Sequence, residues 1–562
     1  MKSEPRRTLG EITNLKSQIT KKSAALSERS ESKGQFSNLK TQGAFVLCFV
    51  LAAGCGDFRG SGGLAAPNRE SRTRVAILPH GGTDPVNDAA ADAMFFKNYG
   101  VNPFVDADDT RFSTFAVDVD TASYTVARRY LSDGHMPPEE AVRVEEFVNA
   151  FDYGYAPPAA DAVSLRLEAG PSPFDARRTL LLVGLKARVV DPLLRRRAIL
   201  TFVIDVSGSM GAENRLGLVK KSLRLLVDQL REGDRVGIVV YGTEARTVLL
   251  HHGAEEREKI LEAIDGLEPE GATNAEGGLL AGYALAEEAL VPGAINRIVL
   301  CSDGVANVGN TGPESILRRI EASVRKGITL SAVGFGMGNY NDILLERLGD
   351  KGNGHYAYVD RLEEARRIFV ENLTGTLQVV ARDVKIQVEF DPAVVRSWRL
   401  VGYENRALEE RDFRDDAKDG GEVGSGHAAT ALYEVKLWEG RCGRLGTVRV
   451  RFQDPDGGNG REVEASLDGA ETDAAAGRNT PAFRLASTVA LFAEVLRKSC
   501  WAKGVSLAAV KEIASGLPAD FPGRKDVAEF AGLAARASAL EAESPGPREG
   551  DRGPGGGEEI GR

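Results

Sequence analysis

Between residues 198 and 333 the apolar residues arrive in four short runs, at 198–204, 236–241, 297–301 and 328–333. The stretches between them keep a different rhythm. In 216–230, Leu216, Val219, Leu223, Leu226, Val227 and Leu230 share one face of a 3.6-residue repeat, and 274–290 and 313–326 read as helices too. Short apolar strands alternating with amphipathic helices predict a doubly wound, mostly parallel, Rossmann-like α/β sheet with helices on both faces. That domain is expected over 198–365.

The flanks are patterned differently. Residues 93–190 combine a strand at 115–117 with two helices, an N-terminal α+β module. The second helix is expected to start at Pro137-Pro138-Glu139-Glu140, with proline and acids in its first turn and Val142, Val144, Phe147, Val148 and Phe151 on its apolar face. Further on, Val384-Lys-Ile-Gln-Val-Glu-Phe390 and Gly446-Thr-Val-Arg-Val-Arg-Phe452 alternate with period two, as half-buried antiparallel strands do. Residues 481–543 return to helical spacing. Together, 377–543 read as a β-sandwich-like and helical C-terminal module, and 544–562 as a Gly/Pro/Glu tail without core-forming residues.

At the other end, 1–42 are polar and basic, and 43–53 are uninterruptedly apolar. That run is too short for a bilayer-spanning helix, which needs ~20 residues, but suits the apolar segment of a signal peptide. It closes on Leu51-Ala-Ala-Gly-Cys55, which resembles the bacterial lipoprotein box. The resemblance implies a signal segment over 1–55, lipid attachment at Cys55, a flexible tether over 56–92 and an extracytoplasmic, membrane-anchored location.

Composition narrows the partners. A chain of 562 residues exceeds one ordinary core, so two to four domains are expected. Its net charge of −10 and the lack of an aromatic-interleaved basic cluster argue against nucleic acid. The five cysteines show no CxxC spacing, which argues against a zinc ribbon. Cys301 reads as a small buried hydrophobe, and Cys442 and Cys500 are a possible pair if the compartment is oxidising.

The candidate chemistry sits at strand ends. The run 198–204 exits into Asp205-Val-Ser-Gly-Ser209, and a glycine there lets the chain turn so that an acid and two hydroxyls share one crevice. Gly271-Ala-Thr273-Asn274 opens the next helix but one, and Ser302-Asp303-Gly304 follows the third run. Asp205, Ser207, Ser209, Thr273 and Asp303 thus offer only oxygen, which suits a hard cation, Mg2+ first, with Mn2+ or Ca2+ behind it.

DxSxS, then a loop threonine, then an aspartate after a later strand, resembles the metal-ion-dependent adhesion site of the von Willebrand factor A family. The resemblance implies that Ser207, Ser209 and Thr273 touch the metal directly and that Asp205 and Asp303 hold it through water. It also implies a non-enzymatic module that captures a protein ligand offering a carboxylate. Asp118-Val-Asp-Thr-Ala-Ser-Tyr124, Val142-Arg-Val-Glu-Glu146, Gly426-His-Ala-Ala-Thr-Ala-Leu-Tyr-Glu434 and Phe483-Arg-Leu-Ala-Ser487 resemble the flanks of the bacterial YfbK-like subgroup.

Two other functions fit less of the sequence. One is a cytosolic subunit working with an AAA+ ATPase; the other is a metal-dependent hydrolase, for which no general base is evident. Asp118-Val-Asp120-Thr121 lacks the Thr or Val that a DxDx[TV] phosphatase needs at Ala122, so Asp120 or Thr121 is expected to cap a helix. Gly334-Phe-Gly336-Met-Gly338-Asn339 is expected to be a turn, His251 and His252 to lie on a surface turn, and His355 to be structural.

Overall fold

The computed structural model describes residues 80–81, 95–212, 215–304, 313–336, 341–441, 443–467 and 479–543. The expected signal segment with Cys55, the expected tether apart from 80–81, Cys442 and residues 544–562 lie outside the described residues. Residues 75–562 form one unit, to which everything below belongs.

Strands β1 (His80–Gly81) and β2 (Phe95–Phe96) make a short parallel pair. Then come β3 (Val105–Asp106), β4 (Phe112–Ala116), β5 (Val163–Pro171) and β6 (Thr179–Ala187). The central stretch holds β7 (Ala198–Asp205), β8 (Arg235–Tyr241), β9 (Ala245–Gly253), β10 (Ile295–Ser302), β11 (Ile328–Phe335) and β12 (Tyr356–Val359). They form one sheet in the order β12-β11-β10-β7-β8-β9, parallel except for β9, which runs antiparallel to β8.

Every residue of β7 is buried, as a strand covered on both faces must be. Its Leu200, Phe202 and Ile204 join the core under the helix Leu216–Val227. Its Val203 faces the opposite way, into the core under the helix Ala275–Glu288. The expected doubly wound fold is what forms. Strand β9 was not expected, and it places His251 and His252 in the sheet instead of on a turn: His251 Nε2 lies 3.1 Å from the Thr201 hydroxyl.

The flanks depart from expectation. The last strands are β13 (Val379–Phe390), β14 (Val395–Val401), β15 (Ala407–Leu408), β16 (Gly421–Gly424), β17 (Ala428–Leu437), β18 (Gly446–Gln453) and β19 (Arg461–Leu467). They pair with strands from the N-terminal side, β4 with β13, β6 with β17 and β3 with β14. Two mixed-origin sheets result, β15-β4-β13-β18-β19 with β16 on β13, and β3-β14-β17-β6-β5. The N-terminal 93–190 and C-terminal 377–543 modules are therefore one body, and the central α/β domain is inserted into it. Nothing in the local periodicity of either flank could name a partner strand so distant along the chain.

The two sheets face each other across Phe115, Leu181, Val183, Leu185, Val388 and Phe390. The Phe390 and Trp398 rings stack there at 5.2 Å. Strand β6 is apolar on both sides, because Leu180 and Leu182 meet the helices Ala122–Ser132, Val144–Asn149, Pro481–Leu496, Leu507–Asp520 and Lys525–Glu543. The helix expected from Pro137 is split: a 3-10 turn at Glu139–Ala141 precedes Val144–Asn149, and the extended Arg143 between them donates its N–H to Ser123 Oγ. Thr121 occupies the cap position of Ala122–Ser132, yet its hydroxyl accepts from Arg367 and does not cap.

Buried ion pairs fasten the insert to its host. Arg128 reaches Asp360 at 2.6 Å and Glu364 at 2.9 Å, and Arg143 reaches Asp342 at 2.5 Å. Where the chain enters and leaves the insert, Val190 N–H donates to Ser425 Oγ at 2.8 Å and Ser425 N–H to the Gln378 carbonyl at 2.9 Å. Arg196 N–H donates to Gln378 Oε1 at 3.1 Å.

Candidate metal centre

The carboxyl-end rim of the parallel sheet is where β7 and β10, neighbours in register, release their chains side by side. Asp205 turns back on its own loop, and its Oδ1 accepts from Ser207 N–H at 2.8 Å. Its Oδ2 accepts from Ser302 Oγ at 2.9 Å, which ties the two strand ends together. The Ser207 and Ser209 hydroxyls lie 3.1 Å apart.

The second loop is zippered onto the first. Gly208 N–H donates to the Gly271 carbonyl at 3.0 Å, and Glu270 N–H donates to the Val206 carbonyl. Gly271 has φ +67, and a Cβ there would stand 2.0 Å from Thr243 Oγ1, so only glycine fits. Two residues on, Thr273 is half-buried, and Asn274 caps the helix Ala275–Glu288 by accepting from Gly277 N–H at 2.9 Å.

Asp303 completes the rim. Its Oδ2 accepts from Arg215 Nη1 at 2.7 Å, and that same nitrogen donates to the Ser209 carbonyl at 3.0 Å. Arg215 reaches the site past Gly336, whose φ is +76; a Cβ on Gly336 would stand 2.6 Å from the Arg215 stem. The expected turn at Gly336 is thus also the gap through which an arginine passes.

Asp205 is fully buried and Asp303 nearly so. Burial, and then the charge of Asp303, push the Asp205 carboxyl up to about 7, against the hydrogen bonds from Ser207 and Ser302. Burial raises Asp303 as well, opposed by the Ser209 hydroxyl and the Arg215 guanidinium. Two buried acids, each raised by burial and Asp205 further by the charge of Asp303, make a site short of positive charge. With hydroxyls beside them and no softer donor at the site among the described residues, these residues fit a hard divalent cation.

Asp205, Ser207, Ser209 and Asp303 are brought together, and Thr273 sits on the loop joined to them. Ser302 and Arg215 were missed. Ser302 matters only because β7 and β10 are neighbours, a fact of topology. Arg215 carried no signal beyond preceding a helical face.

Residues 200–371 match the model described as von Willebrand factor type A domain, 375–540 that of "Uncharacterized protein YfbK, C-terminal", and 90–182 one described as von Willebrand factor. Uncharacterized protein YfbK of Escherichia coli (strain K12) is 39% identical over 350 residues, 61% of this chain and 61% of that protein. Inter-alpha-trypsin inhibitor heavy chain H3 of Homo sapiens is 30% identical over 203 residues, 34% of this chain and 22% of its own length. The chain thus spans less than two thirds of either relative. Among solved structures, a von Willebrand factor type A protein from Catenulispora acidiphila aligns with a TM-score of 0.40 at 17% identity, over 64% of this chain and 87% of that one. Fold, loop order and family models converge on two stretches of this chain: residues 200–371 are a von Willebrand factor type A domain, and residues 375–540 are the YfbK C-terminal domain.

Proposed function

We propose that this protein is a binding module, not an enzyme, and that it captures a partner protein through a divalent metal, Mg2+ first, held by Asp205, Ser207, Ser209, Thr273 and Asp303. The observation that carries the reading is the pair of buried acids, Asp205 and Asp303, of which Asp303 pairs with Arg215. A bound Mg2+ would supply a positive centre with a coordination position open to a carboxylate of the partner. Ser207, Ser209 and Thr273 would give it neutral oxygens, which leave it electrophilic. Asp205, fixed by Ser207 N–H and Ser302, would accept from water in the outer sphere, as would Asp303.

The lipobox motif supports an extracytoplasmic protein anchored through Cys55. Capture of partners from envelope extract is expected with Mg2+ and not with chelator, and Asp205→Ala or Thr273→Ala should abolish it while the circular-dichroism spectrum is unchanged. Equal capture in chelator would overturn the metal role. Palmitate label that stays on the protein when Cys55 is replaced by serine would overturn the anchor.

A further inference from the structure

The far end of the same sheet presents a different site. Strand β10 leaves its carboxyl end into Asp303, and near its other end stands Arg297. Arg297 is 2% exposed, and among the described residues its Nη1 donates to neutral oxygens, Ser331 Oγ at 2.9 Å and the Thr376 carbonyl at 2.6 Å. Its Nε has no hydrogen-bond partner among the described residues. Burial lowers its pKa to about 10, with the pull of Glu422 opposing. Glu422 is a poor counter-ion at neutral pH, because burial and the nearby Asp419 push its carboxyl up to about 8. A guanidinium enclosed without a charged partner is costly to the fold.

Arg297 forms part of the wall of a cavity of about 330 Å3 between the base of the A-domain sheet and strand β13. The charged residues around that cavity are Arg196, Arg297, Lys326 and Arg382 against Glu422 and Asp456. Asp456 is already taken by Arg196 at 2.7 Å, and Lys326 by Glu287 at 2.7 Å from outside the cavity. Arg297 and Arg382 remain, both beside Glu422, whose carboxyl burial raises and these two guanidinium groups lower. The volume is at the small end of ligand pockets.

We propose that this cavity binds a small dianionic oxyanion, a phosphate group, with Arg297 as its buried anchor and Arg382 as its second cation. Guanidinium groups give phosphate oxygens paired, charge-assisted hydrogen bonds. Because Arg196 and Gln378 also line the cavity, the anion would sit where the insert joins its host. The proposal is independent of the metal site.

The test uses the full chain in metal-free buffer, titrated calorimetrically with inorganic phosphate and, separately, with glycerol phosphate. Saturable one-to-one binding is expected, weakened at least tenfold by Arg297→Gln and by Arg382→Gln, and retained in Asp205→Ala. Arg382 is only half-buried, so its variant serves even if Arg297→Gln fails to fold. Similar affinity for both probes would assign free phosphate; tenfold tighter binding of glycerol phosphate would assign a phosphate monoester. No saturable heat with either probe, or affinity unchanged in Arg382→Gln, would overturn the proposal.

Discussion

In chelator, burial and the charge of Asp303 hold the Asp205 carboxyl up to about 7. In the unfolded chain the same group releases its proton near ~4. Between those values the folded state binds more protons, so the stability of chelated protein is expected to fall as pH rises through the window. Glu146, held up to about 8 mainly by burial, pushes the same way, so the comparison must be with Asp205→Asn. Urea melts in chelator at pH 5 and pH 8 should show a smaller loss in that variant, and equal losses would clear Asp205 of the effect. Adding Mg2+ at a hundredfold excess over its Kd should stabilise wild type by about 2.7 kcal/mol and leave the variant unmoved. Arg215 makes the opposite prediction. Its guanidinium holds the place of a cation at Asp303, so Arg215→Gln should tighten Mg2+ binding about tenfold by calorimetry, or about 1.4 kcal/mol. Unchanged or weaker binding would mean that Arg215 organises the loop and does not compete for it.

The helix Ala275–Glu288 carries Thr273 and Asn274 at its head and lies on β7 and β8 through glycines. A Cβ on Gly278 would stand 2.4 Å from the Tyr241 ring, and one on Gly282 would stand 2.3 Å from Val203 Cγ2. Alanine in a helix normally gains about 1 kcal/mol over glycine, but overpacking costs about 1–3 kcal/mol. Gly278→Ala and Gly282→Ala are therefore expected to melt lower. They should also bind Mg2+ more weakly, because the helix must lift and take Thr273 with it. Gly217→Ala, whose Cβ would meet nothing within 4 Å, should melt no lower and bind normally. At this scale the sequence was legible wherever burial was complete. Strands β7, β8, β10 and β11 are apolar runs because both faces are covered, and their loops could be read from the residues that leave them. Strand β9 is an edge with mixed exposure, so its residues keep neither the run nor the alternation that marks a strand. Arg143 and Thr121 escaped because their partners, Asp342 and Arg367, belong to the insert.

How strands find each other across the insert was not legible at all. The alternation in 384–390 announces a strand, but its neighbour β4 lies on the other side of the A domain, and no local pattern encodes that pairing. Residues 377–543 alone should accordingly fail to fold, since β13 and β17 would lose β4 and β6; dispersed amide signals from that fragment would contradict this. Replacing 198–377 by a short Gly/Ser linker should leave a folded host, because Val190 and Gln378 already meet at Ser425. The nesting also decides how the protein carries tension. A pull on the two ends of 95–543 runs through the host's sheets and helices and bypasses the A domain until the host opens. In an optical trap the host should therefore yield first, with a second step only afterwards. A partner hauling on Asp205 against the N-terminal end would load the molecule otherwise, through the connection from β6 into β7 and the buried pairs of Arg128 and Arg143 with the insert. The grip at the rim and the strength of the body are thus set by different stretches of the chain.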